Sequence, residues 1–382
     1  MSSDLGQCDL AIVGAGIVGL AHALAAARAG LSVTVLDREA QANGASIRNF
    51  GFVTVTGQQA GDTWRRARRA RDIWVEVAPK AGIPVLHRGL VLACRRPEAL
   101  LVAEQFAAGP MGEGCRLLSP ADMAGFGVFA EGLAGGLHSP HELRVEPRIA
   151  LPKLAAWLAA EYGVRFLWRT HVREVAPPRI ETSAGTLRAA RAVVAPCNDF
   201  LTLFPEAIAA YRPVRCKLHM LRLPDPGWRL PAAVMSDLGL VRYLGYAEAP
   251  GLAALRARLE AEQGAALADG IHLIVVQSAD GSLVVGDSHH YSDTPDPFMP
   301  GGVDQRILDE ARAVLRLPND TAPIERWIGE YPSAAGPAFI AAPLPEVRLA
   351  MVTSGTGMST AFALAEETLN SLIGLPIPDA AE

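Results

Sequence analysis

Gly14-Ala15-Gly16-Ile17-Val18-Gly19 follows directly on the apolar run Leu10-Ala11-Ile12-Val13, and a second such run, residues 32–36, ends at Asp37. The order is strand, glycine turn, helix, second strand and acid, which is the frame of a dinucleotide-binding unit. Each piece has a physical task. Gly14 permits the tight turn, Gly16 lets the backbone approach a pyrophosphate, and Gly19 lets helix and strand pack closely. Ile17 and Val18 open a helix that runs to Ala29 and is closed by Gly30, so the pyrophosphate meets its N-terminus. Asp37 can accept a hydrogen bond from a ribose hydroxyl, with Arg38 beside it. A glycine triplet alone is a weak signal; here strand, helix and acid all fall in place around it.

The stretch after Asp37 narrows the choice of dinucleotide. A nicotinamide enzyme normally continues with further strand–helix repeats. Here Arg38-Glu39-Ala40-Gln41-Ala42-Asn43-Gly44-Ala45-Ser46-Ile47-Arg48-Asn49-Phe50-Gly51 is polar and glycine-bearing. Its amide, hydroxyl and guanidinium donors suit a long, doubly charged cofactor that runs on past its pyrophosphate. On these residues the chain resembles the FAD-dependent D-amino-acid-oxidase superfamily, which includes glycine and sarcosine oxidases. The run Gly44 to Gly51 looks like the branch of FAD oxidoreductases associated with aminophosphonate catabolism.

The resemblance covers nearly the whole chain and implies an α/β plus α+β fold, a Rossmann-type FAD-binding domain interleaved with an antiparallel-sheet substrate domain. Residues 1–82, 143–212 and 330–382 then form the FAD-binding domain, and 83–142 with 213–329 the substrate domain. By the same resemblance Ala45, Ser46 and Arg48 hold the pyrophosphate and approach the flavin, with Asn49 next. The Val172 backbone pairs with the adenine. Ala195-Pro196-Cys197 stands where relatives carry an Ala-Thr/Ala-Gly turn under the cofactor, so Pro196 is a departure and Cys197 reads as packing. Gly355, Thr356, Gly357, Met358 and Ser359 match a turn whose amides face the flavin pyrimidine carbonyl. The FAD is expected to be non-covalent, because no cysteine falls in the segments around Tyr331 or Gly357 where relatives tether it.

On the substrate side the resemblance points to Tyr243, His289 and Tyr331. Relatives that oxidise α-amino acids carry an arginine at the place of Tyr331, which clamps the carboxylate by a two-pronged bond; its absence argues against an ordinary amino acid. On a strand at 215–223, Lys217 and His219 share one face, with Cys216, Leu218 and Met220 on the other. The pair either faces solvent or joins Tyr243, His289 and Tyr331 in an anion-binding patch; Arg48, with Asn49 next to it, and Arg242 are the alternative anion sites. Tyr243 can equally be a core aromatic, and His289 with His290 a surface turn.

The composition fits this reading. The chain has 382 residues, long enough for two cores, and half of them are hydrophobic. A formal net charge of −5 gives no global reason to bind nucleic acid or membrane. One basic cluster, Arg65, Arg66, Arg68, Arg69 and Arg71, lies between Trp64 and Trp74 and reads as a solvated helix face or a basic rim. Five cysteines without a CxxC pair argue against disulfides and against zinc, so no metal is expected. No signal peptide and no long apolar run is visible, and a cytoplasmic protein is expected.

Along the chain, helices are expected at 98–108, 119–125, 149–162, 253–263, 303–315 and 358–373. Strands are expected at 90–94, 164–167, 172–175, 192–195, 215–223, 239–246, 271–278, 283–287, 326–331 and 347–354. Three functions fit. The first is oxidation of a C–N bond of 2-aminoethylphosphonate or an N-alkyl derivative to an imine that hydrolyses to phosphonoacetaldehyde, with molecular oxygen or another electron acceptor. The second is oxidation of a secondary or D-amino acid. The third is a non-redox flavin-binding protein that contacts RNA through the Arg65 to Arg71 cluster. Val284 stands where sarcosine-type oxidases carry an oxygen-activating lysine, which leaves oxidase and dehydrogenase both open.

Overall fold

The computed structural model describes residues 3–374, so the outermost ends of the expected FAD-binding segments, 1–2 and 375–382, lie outside the described residues. The quoted strand is the centre of a parallel sheet. Asp4–Val13 pairs with Val33–Leu36 on one side and Thr186–Val194 on the other, with Arg165–Leu167 and Val347–Ser354 beyond them. Its apolar run is continuous because both faces are covered. Leu10 and Ile12 pack into a core with the helices, whereas Ala11 joins Val172, Ile180 and Leu187 on the opposite face.

The helix layer is Ile17–Arg28, Asp62–Lys80, Pro147–Tyr162 and Gly357–Ile373. Trp74 fixes two of these to each other. Its ring meets Phe362 edge-on with centroids 5.1 Å apart, and its Nε1 donates to the Met358 carbonyl at 2.9 Å. Burying one side chain such as Phe362 stabilises the fold by about 1.5–3 kcal/mol. The basic cluster lies on the Asp62–Lys80 helix and is neutralised there. Arg66 clamps Glu367 and Arg69 clamps Glu366, each by two bonds of 2.6–2.9 Å. Arg68 lies over the Trp64 ring, and Arg65 and Arg71 pair with Asp62 and Asp72.

A second, mostly antiparallel sheet runs Gly135–Val145, Val85–Cys94, Ala233–Ser236, Ile274–Gln277, Leu283–Gly286, Val214–Leu223 and Glu325–Leu344. One face packs on helices Pro97–Ala107, Leu252–Ala268 and Gly301–Val314. The other face carries Cys216, Leu218, Met220, Ile274, Val284 and Tyr331 together with Phe50 and Phe52. The long strand Glu325–Leu344 joins the two sheets, pairing first with Val214–Leu223 and then with Val347–Ser354. Among the described residues no helix is long and apolar enough to cross a membrane.

Two local expectations change. Gly135–Val145 is a strand that the sequence hides, because Gly135, Gly136 and Pro140 punctuate it; Pro140 falls at a break in the register with Val85–Cys94, where a missing N–H is tolerated. The strand expected at 239–246 is instead two short 3-10 turns, Asp237–Val241 and Leu244–Tyr246. The amides of Arg242 and Tyr243 both bond the Gly239 carbonyl, and the Gly245 amide docks on the Gly57 carbonyl at 2.9 Å. An added Cβ on Gly245 would stand 2.5 Å from the Gln58 carbonyl, so only glycine allows this coil.

Candidate active site

Two cavities of ≈ 430 Å³ and ≈ 310 Å³ share Gly16, Ser46, Arg48 and Cys197 in their walls and form one elongated cleft between the sheets. Gly14, Asp37, Arg38, Val172 and Pro196 line the smaller end. Ile17, Val18, Gly19, Asn49 and the turn Gly355, Thr356, Gly357, Met358 and Ser359 line the larger. Ala45 lines both. The cofactor residues expected from the sequence therefore meet along one groove.

The glycines make that groove. Gly14 has φ +102°, and a Cβ there would stand 2.6 Å from the Ala195 carbonyl; on Gly19 it would overlap the Gly14 carbonyl at 1.8 Å. The helix Ile17–Arg28 begins at Gly16 with no side-chain cap from that residue, which leaves the Val18 and Gly19 amides of its first turn to an anion. Ser46 Oγ accepts the Ile17 amide at 2.9 Å and so pins the following loop to that N-terminus. A Cβ on Gly357 would be only 3.4 Å from Ile17 Cγ2, so the two helix N-termini open side by side into the cleft. The glycine cradle, the uncapped amides and the length of the groove fit an extended dinucleotide.

Several polar residues hold the groove itself. Asp37 Oδ2 accepts the Ala15 amide at 2.7 Å and Oδ1 the Glu39 amide at 2.8 Å, so it buttresses the glycine turn as well as facing the smaller cavity. Arg38 bonds Asp199 at 3.1 Å. Asn49 donates to the Ala45 carbonyl and accepts from Gly51, both at 2.7 Å, which shapes the loop rather than freeing its amide. The Arg48 carbonyl takes the Trp327 indole N–H at 3.1 Å. Ser359 Oγ accepts the Thr54 amide at 2.9 Å.

At the far end of the larger cavity stand Arg242, Tyr243, His272, Asp287, His289, Tyr291 and Tyr331. Three of these, Tyr243, His289 and Tyr331, are the substrate-side residues expected from the sequence. Arg242 is the cation there. It donates to Tyr291 Oη at 2.8 Å. Burial opposes its charge, but the Tyr331 and Tyr291 phenols and Asp287 outweigh burial and hold it as a guanidinium. Burial pushes the Asp287 carboxyl up to about 7 against the pull of Arg242. Burial, then Arg242, pushes His289 and His272 well below the usual imidazole range, so both are neutral.

Lys217 and His219 are not in this group. Lys217 Nζ bonds Asp296 Oδ2 at 2.8 Å and the carbonyls of Asp296 and Phe298, and His219 Nδ1 meets Asp304 Oδ1 at 3.0 Å. The parity read from the sequence holds, but the apolar face of Val214–Leu223, with Leu218, is the one turned to the cleft. The polar face is buried against the Gly301–Val314 helix. Arg242 was expected only as an alternative anion site, and His272, Asp287 and Tyr291 were missed as site residues. Asp287, His289 and Tyr291 alternate along the chain, a period of two that marks one face of an extended segment. Arg242 and Tyr243 are neighbours that a strand would send to opposite faces; the coil at Gly239 turns both inward.

The comparisons agree with this architecture. No curated protein matches the chain in sequence. Solved structures that resemble it include glycine oxidase from Bacillus cereus, with a TM-score of 0.76 and 14% identity over 96% of this chain and 95% of that chain. L-proline dehydrogenase from P. horikoshii gives 0.76 and 15% over 98% and 96%. L-α-glycerophosphate oxidase from Mycoplasma pneumoniae, with FAD bound, gives 0.73 and 14% over 96% and 94%. A family model described as FAD dependent oxidoreductase, DAO, matches residues 9–370, almost the whole of the folded chain. The protein is FAD-dependent, and the chain belongs to the DAO family of FAD-dependent oxidoreductases.

Proposed function

We propose that the chain oxidises the C–N bond of a small amine with an anionic head, 2-aminoethylphosphonate or an N-alkyl derivative, to an imine that hydrolyses to phosphonoacetaldehyde. The observation that carries this reading is the buried Arg242, already donating to Tyr291, beside Tyr331. One arm of its fork is engaged, so the site offers the remaining guanidinium donors together with phenol hydroxyls from two other segments. Donors spread over several directions match a tetrahedral oxyanion better than a planar carboxylate. The family resemblance of residues 44–51 supports the same substrate class.

FAD, when bound, would supply the two-electron acceptor for oxidation of the C–N bond. The protein's residues supply position and field. Arg242, Tyr291 and Tyr331 hold the head group and so fix the carbon. Phe50, Phe52, Leu218 and Ile274 line this part of the cleft and exclude water from it. The N-terminus of Gly357–Ile373 opens on the cleft and favours negative charge there. Gly14, Gly16, Asp37, Ser46 and Val172 are the proposed contacts of the pyrophosphate and adenosine, and Gly355 to Ser359 those of the flavin. Molecular oxygen or another acceptor would take up the electrons. The proposed FAD-binding segments are 1–82, 143–212 and 330–382, and the remainder forms the substrate domain.

A second reading is oxidation of a secondary or D-amino acid, favoured by Arg242 itself, which can also bind a carboxylate. Anaerobic bleaching of the yellow protein separates the two. N-methyl-2-aminoethylphosphonate should bleach it, and glycine, sarcosine and D-alanine should not. Bleaching by the amino acids alone would overturn the phosphonate reading.

A further inference from the structure

The cleft wall beside Arg242 holds three side chains that the reaction above leaves without a task. His272 Nδ1 lies 3.2 Å from Asp287 Oδ1, and His289 Nε2 lies 3.8 Å from Asp287 Oδ2. One ligand atom from each residue falls within 4.8 Å of the others, and all three residues are buried. The fold sets this up. Ile274 pairs with Gly286 in an antiparallel ladder, so His272 just before one strand comes opposite Asp287 and His289 just after the other.

The polar atoms of this cluster do not satisfy one another. His272 Nδ1 and Asp287 Oδ1 face each other at 3.2 Å, yet both are buried without a hydrogen bond. Buried polar groups left unpaired are costly, and a ligand that takes both removes that cost. His289 supplies a third donor. Its Nδ1 bonds the Gly270 carbonyl at 2.9 Å, which places the ring proton there and leaves the Nε2 lone pair toward Asp287. A histidine that donates one N–H to a backbone carbonyl and offers its other nitrogen is the usual support of a metal ligand.

We propose that His272, Asp287 and His289 bind one divalent cation of the zinc and iron(II) class, and that this cation and Arg242 together receive the oxyanion head of the substrate. Two imidazoles and one carboxylate with open positions are the donor set of that class. Ligand bonds of about 2.0–2.2 Å put neighbouring ligand atoms roughly 3–3.6 Å apart; the His272 and His289 nitrogens lie 3.2 and 3.8 Å from different oxygens of Asp287, and one donor from each residue falls within 4.8 Å of the other two, so a shared ion would draw the three donors together. Charge balance points the same way. A phosphonate dianion and an ionised Asp287 bring three negative charges against the single positive charge of Arg242. A divalent cation makes the group neutral, as buried charge clusters require. The head-group half of the proposal rests on the phosphonate reading above; the cation site does not.

The test uses FAD-loaded protein, stripped with chelator, incubated with Zn²⁺ or Mn²⁺, desalted and assayed by elemental analysis. One equivalent per chain is expected for the parent, with affinity at least tenfold weaker in Asp287→Asn and in His289→Gln. The flavin spectrum and Tm of each variant show that it is folded, and either variant suffices if the other fails. No stoichiometric metal, or equal retention by both variants, overturns the site and leaves a proton-relaying group in its place. A second arm titrates methylphosphonate, followed by the flavin difference spectrum, with and without Zn²⁺. At least tenfold tighter binding with the metal supports the head-group role. Stoichiometric metal without that gain keeps the cation site and sinks the role assigned to it, and bleaching by amino acids alone then identifies the phosphonate reading as the error.

Discussion

The Tyr331 ring closes on Gly355 with no room for a side chain: a Cβ there would stand 2.9 Å from Tyr331 Cζ, and Gly355 has φ +72°. The turn that opens the last helix and the strand that joins the two sheets are thus packed against each other at the cleft. Gly355→Ala is expected to lose about 1–2 kcal/mol from the left-handed backbone and about 1–3 kcal/mol from overlap. Thermal or urea unfolding of Gly355→Ala, Tyr331→Ala and the double variant measures both. The overlap part should vanish in the double variant and the backbone part should remain.

Arg242→Gln should raise KM for the anionic amine by one to two orders of magnitude, since a hydrogen bond to a charged group contributes about 1.5–3 kcal/mol. Tyr331→Phe should do the same more weakly. Lys217→Met removes bonds to Asp296 and Phe298 on the far face of the sheet, so it should lower Tm and leave kcat/KM near the parent value. Steady-state kinetics of the three variants decides whether the anion site is at Arg242. A loss of specificity in Lys217→Met alone would move it to the other face.

Asp37→Ala removes the acceptor of the Ala15 and Glu39 amides. A loss of about 1–3 kcal/mol corresponds to FAD dissociation roughly 5- to 150-fold weaker. Equilibrium dialysis reads this directly. Unchanged FAD affinity would show that the glycine turn holds its shape without Asp37.

His22 and His87 predict acid sensitivity. Burial lowers both to about 4, with Arg144 adding to the effect on His87. Below the ordinary imidazole value near 6.5 the unfolded chain takes up protons that the folded chain refuses. Stability should therefore fall as pH drops from about 6.5 to about 4, by roughly 1.4 kcal/mol per unit of pH for each histidine. Urea unfolding at pH 7 and pH 5 should show a smaller loss in His87→Asn than in the parent. His87 Nε2 accepts the Gln277 amide at 2.8 Å, so the variant pays a constant cost at both pH values that cancels in the comparison.

The FAD should be released by acid, leaving a white pellet and a yellow supernatant. Cys216 pairs across the ladder with Tyr331 and so comes nearer the cleft than its place in the sequence implies. Burial pushes its thiol up to about 11, and burial also raises Cys197. A protonated thiol is a poor nucleophile for tethering a flavin. A yellow pellet would contradict this.

The cofactor half of the protein was legible because its signals are local. The turn at Gly14 and Gly16 and the closing helix from Gly357 depend on glycine at set offsets and on helical period, and both ends of the groove lie where those residues are. The substrate side was legible only in part: Tyr243, His289 and Tyr331 line the cleft, but Lys217 and His219 do not. Residues Cys216 to Leu221 are buried on both faces of their strand, so the alternation of Lys217 and His219 with Leu218 names two faces without saying which one meets the cleft. Packing of the Gly301–Val314 helix, with Asp304 against His219, decides it. The Gly239 coil looks like a strand until its amides find the Gly239 and Gly57 carbonyls, and only that coil brings Arg242 and Tyr243 in together. Local backbone chemistry therefore determined where the glycine-lined groove is. Long-range contacts between segments far apart in the chain decided which charged groups face the cleft, because a side chain's alternation fixes its face relative to its neighbours and not relative to the rest of the molecule.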